Sequence, residues 1–409
     1  MAVFQGKHII LGVTGSIAAY KAADLASKLT QQGAQVDVIL SAGAEKFITP
    51  LTFQSVTGRR AYTDSDLWGG EAHILHVGLG HSTDLLVIAP CTANTLAKLA
   101  HGIADNLLTV TALAAGGEKT REIPILVAPA MDAGMYEHPA TQANVRTLKE
   151  RGVLFIGPAE GRMASGLVGL GRMVEPAEIL GHIRLALGRH GRLAGKHLVI
   201  TAGGTQEPID PVRYITNRSS GKQGYALAQA ALDEGAAVTL VTHPTGLTPP
   251  VGAQVLEVRT AQEMLEAVLS AIESADGLIM AAAVADFRVK QVATHKLKKN
   301  EGIPHLELEA APDVLGTVAN LRHRLKRLKA VIGFAAESHD LLENALAKLS
   351  SKKLDLIAAN DISAPDAGFS VNTNRITLLY ADGRRQSFPL MSKDEVAQII
   401  LEQVAALLE

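Results

Sequence analysis

The sequence contains very little cysteine, since Cys91 is the only one among its 409 residues. A single thiol cannot form an internal disulfide, so we expect a protein of the reducing cytoplasm. An excess of one charge is also missing, and the formal charge of −2 excludes a strong general attraction to nucleic acid or anionic membranes. No apolar run approaches the ~20 residues of a membrane-spanning helix. The opening MAVFQGKHIILGVTGS predicts a strand and not a signal peptide.

What the sequence does contain is the composition of a globular protein with two domains. Hydrophobic residues make up 47% of the chain and charged residues 20%. A chain of 409 residues exceeds the size of one ordinary hydrophobic core. Residues 186–195 are rich in glycine and arginine and are predicted to form a linker. We therefore predict two domains, residues 1–190 and 191–409.

Each predicted domain starts with the same order of strand, glycine-rich turn, helix and strand. The runs IILGVTGS and LVITAGGT supply the first strand and turn, and this βαβ order requires a parallel sheet. Later apolar runs are continuous, as in strands buried on both faces. The predicted fold class is α/β, with two doubly wound, mostly parallel, Rossmann-like sheets in series. The predicted helices are residues 17–29 and 224–234, and the predicted strands include residues 35–40, 84–89, 125–128, 153–156, 237–241, 277–283, 330–334 and 354–359.

The turn after the first strand, from Gly12 to Ser16, is a candidate phosphate site. Glycine lets the backbone approach a phosphate, and the N-terminus of the following helix offers free N–H groups. The spacing is not GxGxxG, and Ser41 follows the second strand where a dinucleotide site would have a carboxylate. The turn therefore favours a mononucleotide, although a tight turn needed only for packing explains the same residues.

A second polar turn follows the strand predicted at residues 84–89. Thr92 and Asn94 suit N-cap positions of the helix that begins there. The carboxyl ends of parallel strands are also where ligands bind in α/β sheets. The sequence leaves both interpretations open, a helix cap and a ligand-binding site.

The first half resembles the flavin-dependent cysteine decarboxylase family through several motifs in the family's order. These motifs are GVTGSIAAYK, APCTANTLAK, GIADNLLT, PAMDAGMY, HPATQAN and GLGRM. The resemblance implies a homo-oligomer built on trimers that binds FMN between subunits. It also implies an FMN site lined by Gly15, Ser16, Ser41, Thr92 and Asn94.

The resemblance assigns the catalytic base to a histidine eight residues before the Asp-Leu pair that opens the strand leading to APCTAN. Counting back from Asp84 gives His76, and His73 and His81 are close alternatives. Histidine suits this role because its unperturbed pKa lies near neutrality. In the family's chemistry, oxidation of the cysteinyl thiol by FMN lets the adjacent carboxylate leave as carbon dioxide, and the electrons then return.

Two positions depart from the family pattern. Asp132 stands where the family has an asparagine that holds the substrate carboxylate, and Ser165 replaces a cysteine of the flap over the substrate. An ionised Asp132 would repel that carboxylate, whereas a protonated one could donate to it. Serine is a far weaker proton donor than a thiol, which affects protonation of the intermediate. Cys91 is a candidate to compensate, or is simply a small buried residue at a strand end.

The second half offers an anion-binding segment that is not a P-loop. The sequence SSGK at residues 219–222 ends like GxxxxGK, but Thr216 replaces the first glycine and Gln223 the final serine or threonine. The segment still precedes a predicted helix, whose N-terminus attracts phosphate. Asp286 follows a buried strand and can hold a divalent cation on nucleotide phosphates, or merely cap a turn. The lysines of residues 296–299 add positive charge, or form a solvated surface.

These segments resemble the phosphopantothenate–cysteine ligase family through TAGGTQEPIDPVRYITNRSSGKQG, AAAVADF, KLKK, GFAAE and LDLIAAND. The resemblance implies that 4′-phosphopantothenate attacks the α-phosphate of CTP, with Mg²⁺ and Lys296 neutralising charge. Cysteine then attacks the acyl-cytidylate, with Asn217 as a neutral donor to the acyl carbonyl. The expected metal ligand is Asp286, and the expected nucleotide site comprises Ala281, Ala282, Ala283, Asp286, Phe334, Lys348 and Lys352.

A chain with a decarboxylase-like half followed by a ligase-like half resembles a bifunctional enzyme family of coenzyme A biosynthesis. This resemblance implies that the second half makes phosphopantothenoylcysteine and the first half decarboxylates it to 4′-phosphopantetheine, in a trimer-based homo-oligomer with dimerising ligase domains. Two alternatives stay open. One is an NAD-dependent oxidoreductase, which the missing GxGxxG and ribose carboxylate disfavour. The other keeps the ligase and makes the first half a non-catalytic flavin-binding scaffold that assembles the oligomer.

Overall fold

The computed structural model describes residues 3–68, 74–115, 123–298, 303–337, 339–361 and 371–409. The chain divides into two compact units, Met1–Leu187 and Gly188–Glu409. His73 and Lys299, which the sequence interpretation considered, lie outside the described residues. None of the described helices has both the length and the apolar character needed to cross a membrane.

The first unit is built on a parallel sheet with helices on both sides. The strands are β1 (His8–Val13), β2 (Gln35–Leu40), β3 (Ala61–Tyr62), β4 (Leu85–Cys91), β5 (Ile125–Pro129) and β6 (Leu154–Phe155), and a hairpin follows with β7 (Ala159–Arg162) and β8 (Val168–Arg172). The helices are α1 (Ala19–Gln31), α2 (Pro50–Thr57), α3 (Leu75–Ser82), α4 (Ala93–His101), α5 (Leu107–Ala115), α6 (Ala133–Glu137), α7 (Pro139–Glu150) and α8 (Pro176–Gly188). Within the described residues the order in the sheet is β3-β2-β1-β4-β5-β6.

Alternate residues of the central strand β1 point to opposite faces of this sheet. Ile9 and Leu11 belong to an apolar cluster that includes Leu25 of α1. Ile10 belongs to a second cluster that includes Leu108 of α5. Both faces are therefore buried under helices, which is why the strand sequence is continuously apolar.

The second unit repeats this architecture and adds antiparallel strands at one edge. The strands are β9 (His197–Ala202), β10 (Gln206–Pro208), β11 (Tyr214–Thr216), β12 (Ala237–Thr242), β13 (Gln254–Glu257), β14 (Gly277–Met280), β15 (Phe287–Val289), β16 (Leu308–Ala310), β17 (Ala330–Glu337), β18 (Leu356–Asp361), β19 (Thr373–Asn374), β20 (Ile376–Tyr380), β21 (Arg385–Ser387) and β22 (Met391–Ser392). The helices are α9 (Lys222–Asp233), α10 (Ala261–Ile272), α11 (Val314–Leu321), α12 (Leu341–Ser351) and α13 (Lys393–Leu408). The described sheet has the order β13-β12-β9-β14-β17-β18-β20-β21, parallel through β18 and antiparallel at β20 and β21. The predicted α/β class with mostly parallel sheets is confirmed.

One predicted strand is longer than the strand in the structure. The strand predicted at residues 277–283 ends at Met280, because the chain then turns along the sheet edge, where the Ala283 amide donates to the Gly203 carbonyl at 2.8 Å. The division between the two units, at Leu187 and Gly188, falls within the predicted linker at residues 186–195. In this segment α8 ends at Gly188, and Leu193 is fully buried.

Cys91 ends β4 with its side chain in the apolar core of the first unit. The side chain is fully buried in the cluster that contains Leu96 and Leu108. Burial raises the pKa of the Cys91 thiol, because the thiolate would lose its hydration. The surroundings of Cys91 therefore agree with the interpretation that it is a small buried residue at a strand end.

We expect Cys91 to resist alkylation in the folded protein, because the thiol is both buried and protonated. Iodoacetamide should label less than about a tenth of the native chains in the time that labels all chains in concentrated urea. Intact-protein mass measures the labelled fraction, and the urea sample is the control. Equal labelling of native and unfolded protein would contradict this burial.

Candidate active sites

A cavity of about 1040 Å³ opens at the carboxyl edge of the sheet in the first unit. Ligand sites commonly enclose ~300–1,000 Å³, so this cavity has room for a nucleotide together with a small substrate. Segments that follow β1, β2, β4 and β5 all contribute to its wall. The predicted residues that line it are Gly15, Ser16, Ser41, Thr92, Asn94, Asp132 and Ser165.

Thr14, which sequence reasoning missed, ties two of the polar turns together. Its hydroxyl donates to the Pro90 carbonyl at 2.7 Å and accepts from the Thr92 amide at 3.1 Å. The turns after β1 and β2 also meet, because a Cβ on Gly15 would lie 3.0 Å from the Gly43 backbone. The sequence did contain a signal for this role of Thr14, because the residue directly follows an apolar strand and directly precedes a glycine.

The polar residues of these turns have distinct local roles. Thr92 is the N-cap of α4, and its hydroxyl accepts from the Thr95 amide at 3.4 Å. Asn94 lies in the first turn of α4 and is exposed in the cavity wall. The hydroxyls of Ser16 and Ser41 each accept from a backbone amide of their own turn at 3.3 Å. A helix N-terminus and two ordered turns thus surround one cavity, which suits an anionic ligand.

The two positions that depart from the family pattern contact each other. Ser165 lies between β7 and β8 and donates a hydrogen bond to Asp132 Oδ2 at 2.5 Å. Asp132 is the N-cap of α6, and its Oδ1 accepts from the Gly134 amide at 3.1 Å. The hairpin is held against this turn, since the Met131 amide donates to the Gly171 carbonyl at 3.0 Å. Asp132 therefore acts as an acceptor in both contacts.

His76 does not line this cavity of its own chain. It lies on α3, which packs on α5 and whose last residue, Ser82, contacts His8 at the amino end of β1. The Nδ1 atom of His76 is buried and has no hydrogen-bond partner among the described residues. The alternative residue His81 is on the same helix and also outside the cavity wall. Cys91 cannot supply a proton here, because its thiol points into the apolar core.

A second cavity, of about 700 Å³, lies at the carboxyl edge of the sheet in the second unit. The segment that follows β14, the strands β17 and β18 and the N-terminus of α9 border it. Gly221 precedes α9 with a φ of 78°, a left-handed conformation that glycine adopts at little cost. The predicted residues that line this cavity are Asn217, Ala281, Ala282, Ala283, Asp286, Phe334, Lys348 and Lys352.

The Asn217 side chain is oriented by two backbone carbonyls. Its Nδ2 donates to Ala283 at 3.3 Å and to Val284 at 3.1 Å. An amide nitrogen carries two hydrogens, so both are directed at the protein. Asn217 has to release one of these bonds before it can donate to a substrate carbonyl.

The two predicted lysines of α12 and its C-terminus are held by protein acceptors. Lys348 donates to the Phe334 carbonyl at 2.8 Å, and Lys352 forms an ion pair with Asp313, the N-cap of α11. Burial raises the pKa of Asp313, but hydrogen bonds from Lys352 and the Gly316 amide outweigh this and lower it. Sequence reasoning missed Asp313, which is an ionised carboxylate at the cavity wall.

Asp286 is exposed at this cavity. It can supply one ligand to a metal ion but does not form a metal site without other ligands. No group of three or more His, Cys, Asp and Glu side chains in the described part of the chain could hold a metal ion. Mg²⁺ prefers several oxygen ligands and is commonly held by one or two carboxylates and by phosphates of the substrate. Asp286 can therefore serve as a metal ligand only together with a bound phosphate ligand.

The structure does not bring Lys296 to this cavity. Lys296 is exposed on the loop after β15, and the backbone of that loop is tied elsewhere. The Leu297 amide donates to Asp210 Oδ2 at 3.2 Å, and the Leu297 carbonyl accepts from Arg213 Nη1 at 3.1 Å. These bonds hold the loop against the turn between β10 and β11. The expected position of Lys296 beside Asp286 is therefore not found.

Lys393 brings a buried positive charge to the cavity instead. It begins α13, is 6% exposed, and donates from Nζ to the Val371 carbonyl at 2.7 Å. Burial, together with the charge of Lys222, lowers the pKa of Lys393 to about 8. Sequence reasoning missed this residue, because a lysine at a helix start resembles any surface lysine.

Comparison with protein families assigns a class to each unit. The first unit matches the family described as Flavoprotein over residues 4–187. The second matches the family described as DNA/pantothenate metabolism flavoprotein C-terminal domain over residues 193–408. Two α/β units with a cavity at each sheet edge thus define a two-domain flavoprotein.

Curated relatives match the whole chain. The Coenzyme A biosynthesis bifunctional protein CoaBC of Bacillus subtilis is 44% identical over 408 residues, which are 99% of this chain and 98% of that protein. The CoaBC of Mycobacterium tuberculosis is 44% identical over 414 residues, 98% of this chain and 97% of that protein. The chain belongs to the CoaBC family of coenzyme A biosynthesis bifunctional proteins.

Solved structures match each unit by itself. The C-terminal domain of a CoaBC protein is 41% identical and covers 53% of this chain and 98% of that chain, with a TM-score of 0.46. The FMN-dependent cysteine decarboxylase SpaF is 36% identical and covers 46% of this chain and 97% of that chain, with a TM-score of 0.37.

We expect Lys393 to make the stability of the second unit depend on pH. Its folded-state pKa of about 8 lies below that of an unfolded lysine, so its buried charge costs free energy below pH 8. That cost is relieved as the pH rises toward ~10. Lys393→Met should therefore exceed wild type in stability near neutral pH, by up to ~3 kcal/mol, and lose this advantage at alkaline pH.

Urea denaturation followed by far-UV circular dichroism at several pH values measures the stability difference. Lys326→Met, which removes an exposed lysine of the same unit, is the matched control for losing one lysine. A stability difference between Lys393→Met and wild type that does not change with pH would contradict the cost of a buried charge.

Proposed function

We propose that each unit carries one activity of coenzyme A biosynthesis. Membership of the CoaBC family makes this chain an enzyme with a flavoprotein decarboxylase unit and a ligase unit. The second unit joins 4′-phosphopantothenate to cysteine with CTP, and the first decarboxylates phosphopantothenoylcysteine to 4′-phosphopantetheine with FMN. The observation that carries this proposal is the convergence on one cavity of Gly15, Ser16, Ser41, Thr92, Asn94, Asp132 and Ser165.

The cavity of the first unit fits FMN in shape and in chemistry. The Gly15 turn packs against Gly43, and the first turn of α4 lines the cavity, which suits the phosphate. Ile17, Tyr20 and Met135 line the cavity with more than half of each side chain exposed, and they offer apolar surface to a ring system. When bound, FMN supplies the reversible two-electron oxidation that lets the cysteinyl carboxylate leave as carbon dioxide.

Asp132 and Ser165 act on the substrate. Ser165 is the proposed proton donor to the decarboxylated product, and its hydroxyl hydrogen has to leave the bond to Asp132 before it can pass to that product. A hydrogen bond from Asp132 to a substrate carboxylate requires the protonated carboxyl group, because an ionised carboxylate can only accept. Asp132 can then donate to the substrate in the way that the family's asparagine amide does.

His76 is proposed as the base for the cavity of a neighbouring subunit. It lies outside the cavity of its own chain, its Nδ1 is buried without a partner among the described residues, and the neighbouring Ile74 is 61% exposed. The exposed apolar side chain of Ile74 beside His76 suits contact with another subunit. The proposed assembly is a homo-oligomer based on trimers of the first unit, with dimerising ligase units.

In the second unit, the proposed substrate is CTP with Mg²⁺. Asp286 shares the metal ion with the triphosphate, and residues 281–283 contact the base or ribose. The lysines of the cavity wall, and not Lys296, neutralise the charge as pyrophosphate leaves. Those lysines are Lys222, Lys348, Lys352 and Lys393.

The alternative in which the first unit is only a flavin-binding scaffold rests on Asp132 and Ser165, which replace the family's asparagine and cysteine. We favour catalysis, because the two residues form one hydrogen-bonded pair at the cavity wall. A scaffold would release no carbon dioxide from phosphopantothenoylcysteine, so product analysis distinguishes the two functions.

We expect Ser165→Ala to separate decarboxylation from product protonation. Wild type should convert phosphopantothenoylcysteine to carbon dioxide and the saturated thiol, whereas Ser165→Ala should release carbon dioxide and accumulate the oxidised enethiol. Ser165→Cys should form the saturated thiol faster, because a thiol is the stronger acid. Mass spectrometry of the products measures this, with Ser27→Ala as a control at a half-buried serine outside the cavity wall. Saturated thiol from Ser165→Ala would exclude Ser165 as the donor.

We expect Asn217→Asp to trap the acyl-cytidylate. A carboxylate in place of the neutral amide repels the negative charge that develops on the acyl carbonyl when cysteine attacks. Mass spectrometry of a reaction with 4′-phosphopantothenate, cysteine, CTP and Mg²⁺ detects the trapped species, and Asn344→Asp at an exposed position is the control. An unchanged ligation rate would remove Asn217 from the mechanism.

A further inference from the structure

Three side-chain amides form a hydrogen-bonded chain at the wall of the second cavity. Gln223 of α9 donates from Nε2 to the Lys393 carbonyl at 3.1 Å. Asn374 of β19 donates from Nδ2 to Gln223 Oε1 at 2.8 Å. Asn360 of β18 donates from Nδ2 to Asn374 Oδ1 at 3.2 Å. The amide chain, defined as Gln223, Asn374 and Asn360, thus connects four elements from distant parts of the sequence.

The direction of this chain is dictated by the backbone carbonyl at its start. A carbonyl can only accept, so Gln223 has to turn its NH₂ group toward Lys393 and its oxygen toward Asn374. The same logic then orients Asn374 and, through it, Asn360. Rotation of any one amide by half a turn would place oxygen against oxygen or NH₂ against NH₂. The orientation of Asn360 therefore follows from the whole network.

The chain ends in an acceptor that the protein does not use. Asn360 is 8% exposed, and its Oδ1 is buried without a hydrogen-bond partner among the described residues. Asn360 lines the second cavity. Buried acceptors in proteins are nearly always paired, so an orphan at a cavity wall indicates a group that a ligand completes. A ligand that displaces water from this oxygen must bring a hydrogen-bond donor of its own.

The position of Asn360 in the sheet favours a nucleotide as that ligand. In the parallel pairing of β17 and β18, Phe334 lies opposite Ala358 and Ala336 lies opposite Asn360. Side chains two residues apart on a strand share a face, so Phe334 and Asn360 project from the same face of the sheet. An aromatic ring and an oriented acceptor beside each other, both lining one cavity, suit a base or its ribose.

We propose that Asn360 accepts a hydrogen bond from a donor on the nucleotide, and that Gln223 and Asn374 are positioning residues that fix this polarity. The inference rests on the proposed use of a nucleoside triphosphate by the second unit. A base that presents an amino group to Asn360, as cytosine can, is then preferred over a base with a carbonyl at that position, such as uracil. A ribose hydroxyl is the other source of the same donor chemistry.

The test compares the binding of four nucleotides, with Mg²⁺, to the full-length protein by calorimetry: CTP, UTP, 2′-deoxy-CTP and 3′-deoxy-CTP. Wild type should bind CTP at least about tenfold more tightly than the analogue that lacks the donor, which is UTP if the donor is the base amine and one of the deoxy-CTPs if it is a ribose hydroxyl. A tenfold difference corresponds to about 1.4 kcal/mol. Gln223→Met removes the anchor, so Asn374 and Asn360 can turn together and the preference should fall to within about threefold. Gln223→Glu keeps the oxygen that orients Asn374, so it should retain the preference although triphosphates bind more weakly.

The matched control is Gln229→Met, which removes an amide from the same helix at a residue that bonds to Asp233. A change in the CTP to UTP ratio assigns the donor to the base amine, and a change in the CTP to deoxy-CTP ratios assigns it to the ribose. Preferences that stay the same in Gln223→Met, or a wild type that binds all four nucleotides equally, would overturn the inference. If wild type bound no nucleotide, the proposed function of the second unit would fail with it.

Discussion

A buried threonine hydroxyl fastens the end of the first strand to the end of a neighbouring strand in both units. In the first unit Thr14 bonds to Pro90 and Thr92, and in the second Thr201 accepts from the Ala282 amide at 3.1 Å. Parallel strands release their chains at one edge, where backbone groups lose their ladder partners. The threonines satisfy some of these groups and leave others facing the cavity. Both ligand sites depend on this constraint.

Asp132 and Ser165 show how two substitutions can change a site together. An asparagine at position 132 could donate to a substrate carboxylate, and a cysteine at position 165 would be its own acid. The structure instead pairs the serine hydroxyl with an aspartate that is also the N-cap of α6. Serine is a weaker proton donor than cysteine, and its only hydroxyl hydrogen is directed at Asp132, so what Ser165 can donate depends on the state of Asp132.

The parts of this molecule that could be predicted from sequence are the local ones. A continuous apolar run identified β4, and the order of strand, turn, helix and strand identified β2. Small polar residues after these strands identified Ser41 and Thr92, because strand ends and turns follow from neighbouring residues. His76 and Lys296 were placed by motif spacing, which gives no information about where a helix packs or a loop is tied. Asn360 and Lys393 acquire their role only through partners that are far away in the sequence.

The two cavities differ in the charge that they offer a ligand. Among the described residues, the wall of the second carries Lys222, Lys348, Lys352 and Lys393 against two aspartates, whereas that of the first carries four basic residues against three aspartates. Fixed charge around a cleft selects ligands of opposite charge. The first cavity therefore suits a monophosphate with a large neutral ring system. The second cavity has the larger positive excess and suits a ligand with more negative charge, such as a triphosphate.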